Sequence, residues 1–218
     1  MNEKPFYIQT GRIEQFSDGV FAIIITLMVL QLKVPHFQDG ASLEKNWQQL
    51  LKSTSNFISF FLSFVFIAVY WVNHHQLFQS IKVISRKLLW HNIHLLFWLT
   101  VIPFPSAMVG EYPQSPLAVM CLAFVFFMAS LASYLMQRHA LINADLMHET
   151  LSTKSKEGPI KKNLVSIFLY IIIIVAAPFY LYLAYSLFAI AVGMFIVPPE
   201  LNIKSKISTI NKNKKHET

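Results

Sequence analysis

Charge is scarce in this chain, and its absence from particular places says more than its presence elsewhere. Only 13% of the 218 residues are Asp, Glu, Lys or Arg, while 55% are hydrophobic and the mean hydropathy is +0.48. A soluble domain carries about a quarter charged residues. No Asp, Glu, Lys or Arg lies inside an apolar run away from its ends, so a coupled ion pump or secondary transporter has no deep ionisable carrier. There is no Thr-Val-Gly-Tyr-Gly-type filter loop, no nucleophile–base pair and no acidic metal-binding motif, which leaves an enzyme reading little to stand on. Cysteine is reduced to Cys121, which excludes an intrachain disulfide; inside an apolar run, it reads as a small packing residue. The net charge of +7 does not point to nucleic acid, because the basic residues lie in short stretches between apolar runs and in the tail.

What the chain does have is length in its apolar runs. Crossing ~30 Å of hydrocarbon takes about 20 helical residues. Four runs meet this: Phe16–Leu32, Phe57–Phe78, Leu88–Val109 and Leu117–Met136. A fifth, Leu164–Val197, is 34 residues long, and Pro178 near its middle, among Tyr180, Tyr182 and Tyr185, divides it into Leu164–Ala177 and Tyr180–Val197. Basic residues decide between five spans and six. With six spans and both termini inside, 15 Lys and Arg fall on the cytoplasmic side and 3 on the other. A single fifth span would instead put the Lys-rich tail outside.

The reading is therefore an all-α integral membrane protein of six transmembrane helices, occupying 1–200, with a solvated basic tail over 201–218. A secretory signal at Val20–Val29 is the weaker alternative, since Asp18 directly precedes the apolar run and no small-x-small cleavage site follows it. Ser42–Leu51 places Leu43, Trp47, Leu50 and Leu51 on one helical face, which predicts a helix lying on the outer membrane surface.

Span one holds the unusual chemistry. Its stretch Arg12-Ile-Glu-Gln-Phe16-Ser17-Asp18-Gly19 runs directly into Ala22-Ile23 and on to Thr26, Leu27 and Leu30. Polar groups at a membrane helix are expensive and need partners. At 3.6 residues per turn, Phe16, Ile23, Leu27, Leu30 and Val34 form one stripe with Gly19 and Thr26 beside it, whereas Ser17 and Asp18 point toward neighbouring helices. The periodicity leaves open whether the stripe meets lipid, the protein core or a symmetry axis.

Histidines form a second cluster. His74 and His75 end span two, and His91 and His94 open span three, so their rings are expected in one cytoplasmic layer near Ser17 and Asp18. His91-x-x-His94 has spacing compatible with a metal but lacks an acidic partner on its own helix, and two rings make an incomplete site. A hydrogen-bonded structural layer is the simpler reading, with a pH sensor as the alternative. No metal or cofactor is expected.

The pattern Arg12, three residues, Phe16-Ser17-Asp18-Gly19, two residues, Ala22-Ile23, two residues, Thr26, two residues, Val29-Leu30 resembles the hallmark of the bacterial transmembrane protein 175 family of potassium-permeable channels. Trp71-Val-Asn-His74-His-Gln-Leu77-Phe78, Asn92 and Pro103-Phe104 are similar to the family as well, whereas spans four to six match only in number and hydrophobicity. The resemblance implies a homotetramer in the cell membrane of a bacterium, with span one lining a central pore that passes potassium ions. It makes Ile23 the narrowest constriction, with Thr26 beside it and Leu27 and Leu30 further outward. It makes Arg12, Phe16, Ser17, Asp18, His74 and Asn92 the structural part of the motif. A ring of four branched side chains forms a dewetted neck that screens ions by dehydration cost. The runner-up is a proton-conducting or proton-coupled protein using the histidine layer. A third class is a membrane assembly protein that transports nothing.

Overall fold

Long uncharged runs must satisfy their backbone within themselves, and every apolar run forms helix. The computed structural model describes residues 7–37, 39–143, 146–147 and 153–196. Helix α1, Thr10–Leu27, tightens into a short 3-10 turn over Met28–Gln31. Helix α2, Leu43–Lys52, starts at Ser42, whose side chain accepts from the Lys45 N–H, and carries Glu44 in its first turn and Lys52 in its last, both favourable to the helix dipole. Its apolar Leu43, Trp47 and Leu51 are exposed. Helix α3, Thr54–Phe78, follows after one residue.

Span three departs from the expected single helix. It is two helices, α4 at Arg86–Val101 and α5 at Pro103–Glu111, meeting at Ile102. Pro103 and Pro105 have no N–H to give to the preceding turn, which breaks the ladder there. Helix α6 is Pro116–Ile142, α7 Thr153–Ala176 and α8 Leu181–Ile196. The α7–α8 turn falls at Pro178 as the sequence predicts, with the Phe179 and Tyr180 N–H groups both donating to the Ala176 carbonyl. Among the described residues, four helical stretches are long and apolar enough to cross a membrane: Thr10–Gln31, Thr54–Phe78, Arg86–Glu111 and Pro116–Ile142. The basic tail over 201–218 lies outside the described residues.

One element was not expected. Tyr7–Ile8 (β1) pairs antiparallel with Ile84–Ser85 (β2), in register Tyr7 to Ser85 and Ile8 to Ile84. Two-residue strands leave no periodicity to read. They matter because Thr10 also donates to the Lys82 carbonyl at 3.1 Å, and the Lys82 N–H donates to the Leu146 carbonyl at 2.7 Å. The segment before α1, the α3–α4 connection and the segment after α6 are thereby joined at one end of the bundle. At the other end Lys33 pairs with Glu111 at 2.6 Å, and Tyr185 donates to the Pro113 carbonyl at 2.7 Å.

Helix α6 is central, packing on α4, α5 and α7, while α1 packs on α3 and α4. Its buried Ala118, Ala123, Ala129, Ala132 and Ala140 let neighbouring backbones approach, the usual device where lipid supplies no hydrophobic drive between helices. The α3–α5 contact uses hydroxyls for the same end: Ser55 donates to the Gly110 carbonyl at 2.7 Å and Ser59 to the Ser106 carbonyl at 2.6 Å. A Cβ on Gly110 would lie 2.5 Å from Asn56 Oδ1 and 3.0 Å from Asn56 Cα. The Asn56 backbone cannot swing aside, so Gly110→Ala forces α5 away from α3. The expected loss is about 1–3 kcal/mol, measured as a lower melting temperature in detergent; an unchanged melting temperature contradicts this close approach.

Candidate ion pore and its supporting network

Helix α1 has two faces with opposite fates. Ser17, Phe21, Ile24 and Met28 are buried against the subunit, Ile24 being 3% exposed and Met28 0%. Phe16, Ile23, Leu27, Val29 and Leu30 lie uncovered, Ile23 being 59% and Leu30 76% exposed. Gly19, Ala22 and Thr26 are exposed on the same side. Among the described residues, nothing covers the stripe that the sequence placed at Ile23, Leu27 and Leu30.

Thr26 sits on that stripe with its proton already used. Its Oγ1 lies 2.9 Å from both the Ala22 and Ile23 carbonyl oxygens and donates back into its own helix. The lone pairs are left outward, so the hydroxyl presents an acceptor to whatever faces it, an arrangement suited to a cation or a water hydrogen.

The buried face is held by a directed chain of hydrogen bonds across three helices. His74 Nε2 on α3 lies 2.8 Å from Asn92 Oδ1 on α4, Asn92 Nδ2 donates to Ser17 Oγ on α1 at 2.9 Å, and Ser17 Oγ donates to the Ile13 carbonyl at 2.8 Å. Asn92 has one orientation that serves both neighbours, with its amide N–H toward Ser17, and His74 then contributes Nε2–H. All three side chains are 0–2% exposed. The imidazole is packed between aromatics, with Phe21 edge-on at 5.4 Å and Phe78 stacked at 4.2 Å.

A second, more accessible contact runs beside it. Trp71 Nε1 donates to Asp18 Oδ1 at 2.9 Å, and His75 Nδ1 lies 3.1 Å from Glu14 Oε1. Glu14 and Asp18 are four apart on α1, and Trp71 and His75 are four apart on α3, so two i,i+4 pairs meet face to face. Trp71 and His75 also stack on each other at 5.7 Å. The sequence reading assigned no role to Glu14 or to the Trp71 indole, although this matched spacing was visible.

The structure brings Ser17, His74 and Asn92 together and places Asp18 beside them with Trp71. It does not bring Arg12 to this group: the Arg12 side chain is exposed and bonds to none of them. Phe16 is on the uncovered face. Histidines 91 and 94 part from the layer expected for them, because His91 faces His139 of α6 at 5.5 Å and His94 accepts from Trp98 of its own helix at 2.9 Å. Among the described residues, no three His, Cys, Asp or Glu side chains cluster as a metal site.

Four membrane-length apolar helices, each with its backbone satisfied within itself, define a helical integral membrane protein, one of whose helices has one face bonded inward and the other left uncovered. A family profile described as "Endosomal/lysosomal potassium channel TMEM175" matches residues 12–103. A protein of Chryseobacterium sp. (strain P1-3) named as a potassium channel is 34% identical over 201 residues, covering 89% of this chain and 96% of its own length. The crystal structure of a lysosomal potassium-selective channel TMEM175 homologue from Chamaesiphon minutus superposes with a TM-score of 0.74 at 30% identity, covering 86% of this chain and 96% of that one. A Gallus gallus protein named as the endosomal/lysosomal proton channel TMEM175 is 29% identical over 158 residues, but the match spans only 30% of its length. The chain belongs to the TMEM175 family.

Removing the Asn92 side chain strands both neighbours in a buried place, whereas Asp18→Asn keeps an acceptor for the Trp71 indole. Asn92→Ala is therefore expected to cost about 1–3 kcal/mol and Asp18→Asn clearly less. Thermal melting of the purified protein ranks the two, and equal or reversed losses contradict the chain of bonds described.

Proposed function

We propose that this chain is the subunit of a passive, potassium-selective cation channel. Four copies surround a pore lined by α1, the number and the lining helix being those the family resemblance implies. The observation that carries this reading is the uncovered stripe of Ile23, Thr26, Leu27 and Leu30, set on a helix whose opposite face is pinned by Ser17 and Asn92. One helix cannot enclose a pore, so a stripe that serves one must meet its copies about an axis. The bacterial relatives named as potassium channels support the ion.

Six spans per subunit fit the helices: α1, α3, α4 with α5, α6, α7 and α8. The excess of Lys and Arg puts both termini in the cytoplasm of a bacterial cell, with α2 on the outer surface of its membrane. In that orientation the Ser17–Asn92–His74 chain lies in the cytoplasmic half, and the stripe rises from it through the membrane. Ile23 forms the narrowest ring, where partial dehydration favours potassium over the more tightly hydrated sodium. The Thr26 oxygen, its proton turned to the backbone, offers a ring of acceptors at the same level. Ser17, Asp18, His74 and Asn92 support the pore rather than conduct, and neither a cofactor nor a metal is required.

A proton-conducting reading rests on the vertebrate relatives named as proton channels and on the histidines near the cytoplasmic end. Against it, the chain of donors through His74 ends on the Ile13 carbonyl, a backbone group of the pinned face and not of the open stripe.

In liposomes with opposed potassium and sodium gradients, the reconstituted protein is expected to set a potential that follows potassium. A potential that ignores potassium overturns the proposal, and flux that rises or falls steeply between about pH 5 and 8 and is lost in His74→Ala favours the proton reading. Ile23→Asn is expected to wet the neck and lower potassium-over-sodium selectivity at least several-fold. Unaltered selectivity and flux remove Ile23 from the constriction.

A further inference from the structure

A cavity of about 190 Å³ opens between α3 and α8, with none of its walls contributed by α1. Its mouth is formed by Ile58 and Leu62, which are exposed, and its floor by Leu122 and Phe126, which are 7% and 2% exposed. Most of its hydroxyls are spent on backbone: Ser55 on Gly110, Ser59 on Ser106 and Tyr185 on Pro113. Among the described residues, no charged side chain lines it. Such a wall suits an apolar occupant and offers nothing to an ion.

Its depth identifies the occupant. The surface helix α2 ends at Lys52 and α3 begins at Thr54, so the outer polar–apolar boundary passes close to Ser53. The cavity starts along α3 at Ser55 and reaches Phe66. Eleven residues at 1.5 Å per residue make roughly 16 Å, against about 15 Å for one leaflet of a 30 Å hydrocarbon core. The cavity is thus one leaflet deep, begins at the membrane surface and opens sideways.

We propose that it is a binding groove for one acyl chain of an outer-leaflet phospholipid. An apolar cavity of roughly 150 Å³ holds a six-carbon ring, so the enclosed part takes the end of the chain, and the remainder lies in the mouth against Ile58 and Leu62. Lys52, the last residue of α2, lies three residues before Ser55, where the cavity begins. This rests on the membrane orientation proposed above and not on which ion is carried.

The test reconstitutes the full chain in phosphatidylcholine vesicles doped with a phosphatidylcholine bearing a diazirine near the end of one acyl chain. After irradiation, adducts are mapped by peptide mass spectrometry. Adducts are expected on Leu122 and Phe126, buried residues that bulk lipid does not reach, at several-fold the yield on other equally buried core residues such as Leu95. Ser63→Phe, which fills the cavity from α3, and Val192→Phe, which narrows it from α8, are both expected to remove those adducts while labelling of exposed Phe61 and Phe179 persists. Adducts confined to exposed residues in the unmodified chain overturn the proposal and leave the groove to a neighbouring copy. So do Leu122 and Phe126 adducts that survive in every filled variant that assembles. Ion flux is no part of the readout, so failure of the channel reading leaves this result standing on its own.

Discussion

Asn92 is the point on which the arrangement of α1, α3 and α4 turns. A carboxamide is one of few side chains that donates on one side and accepts on the other, and here it joins an acceptor on α1 to a donor on α3. In hydrocarbon no water offers an alternative partner, so the three helices hold one register in which His74 Nε2, both ends of the Asn92 amide and the Ser17 hydroxyl are paired, while His74 Nδ1 has no hydrogen-bond partner among the described residues. The individual bonds are worth little, with interhelical bonds in membranes averaging about 0.6 kcal/mol. Their value is directional, because apolar packing alone leaves rotation about the α1 axis weakly specified.

That rotation decides what α1 shows to the outside. Ser17 inward fixes Phe21, Ile24 and Met28 inward with it, since they repeat at helical spacing, and so puts Ile23, Leu27 and Leu30 outward. A turn of one residue position, 100°, would carry Ile23 and Leu27 into the places of Ile24 and Met28. The paired contacts Glu14–His75 and Asp18–Trp71 hold the same rotation from the side, and β1 and the Lys33–Glu111 pair hold the two ends. Polar chemistry on one face thus serves apolar chemistry on the other.

The helices, the short amphipathic α2 included, and the Pro178 turn were legible in the sequence, because each follows from a long-range pattern: run length, one-sided polarity or a missing N–H. The division of α1 into faces was legible for the same reason. The break at Ile102 was only half visible; Pro103 and Pro105 were present, but prolines in membrane helices often bend a helix without ending it. The β1–β2 ladder was not legible at all, being two residues long. Partnerships across helices were the least legible, since His91 meets His139 on a helix whose rotation the sequence does not state. Arg12 marks the limit of resemblance, because its side chain lies apart from the residues it accompanies in the motif.

Two hydroxyls on α1 share a habit with a consequence for biogenesis. Ser17 donates to the carbonyl of Ile13, and Thr26 to those of Ala22 and Ile23, all within their own helix. Neither proton depends on a second helix. Helix α1 can therefore enter the bilayer with these donors already satisfied, before α3 and α4 are synthesised. What the later helices supply to Ser17 is a donor, the Asn92 amide, for one of its two lone pairs. The helix is solvable in lipid before it is locked in protein.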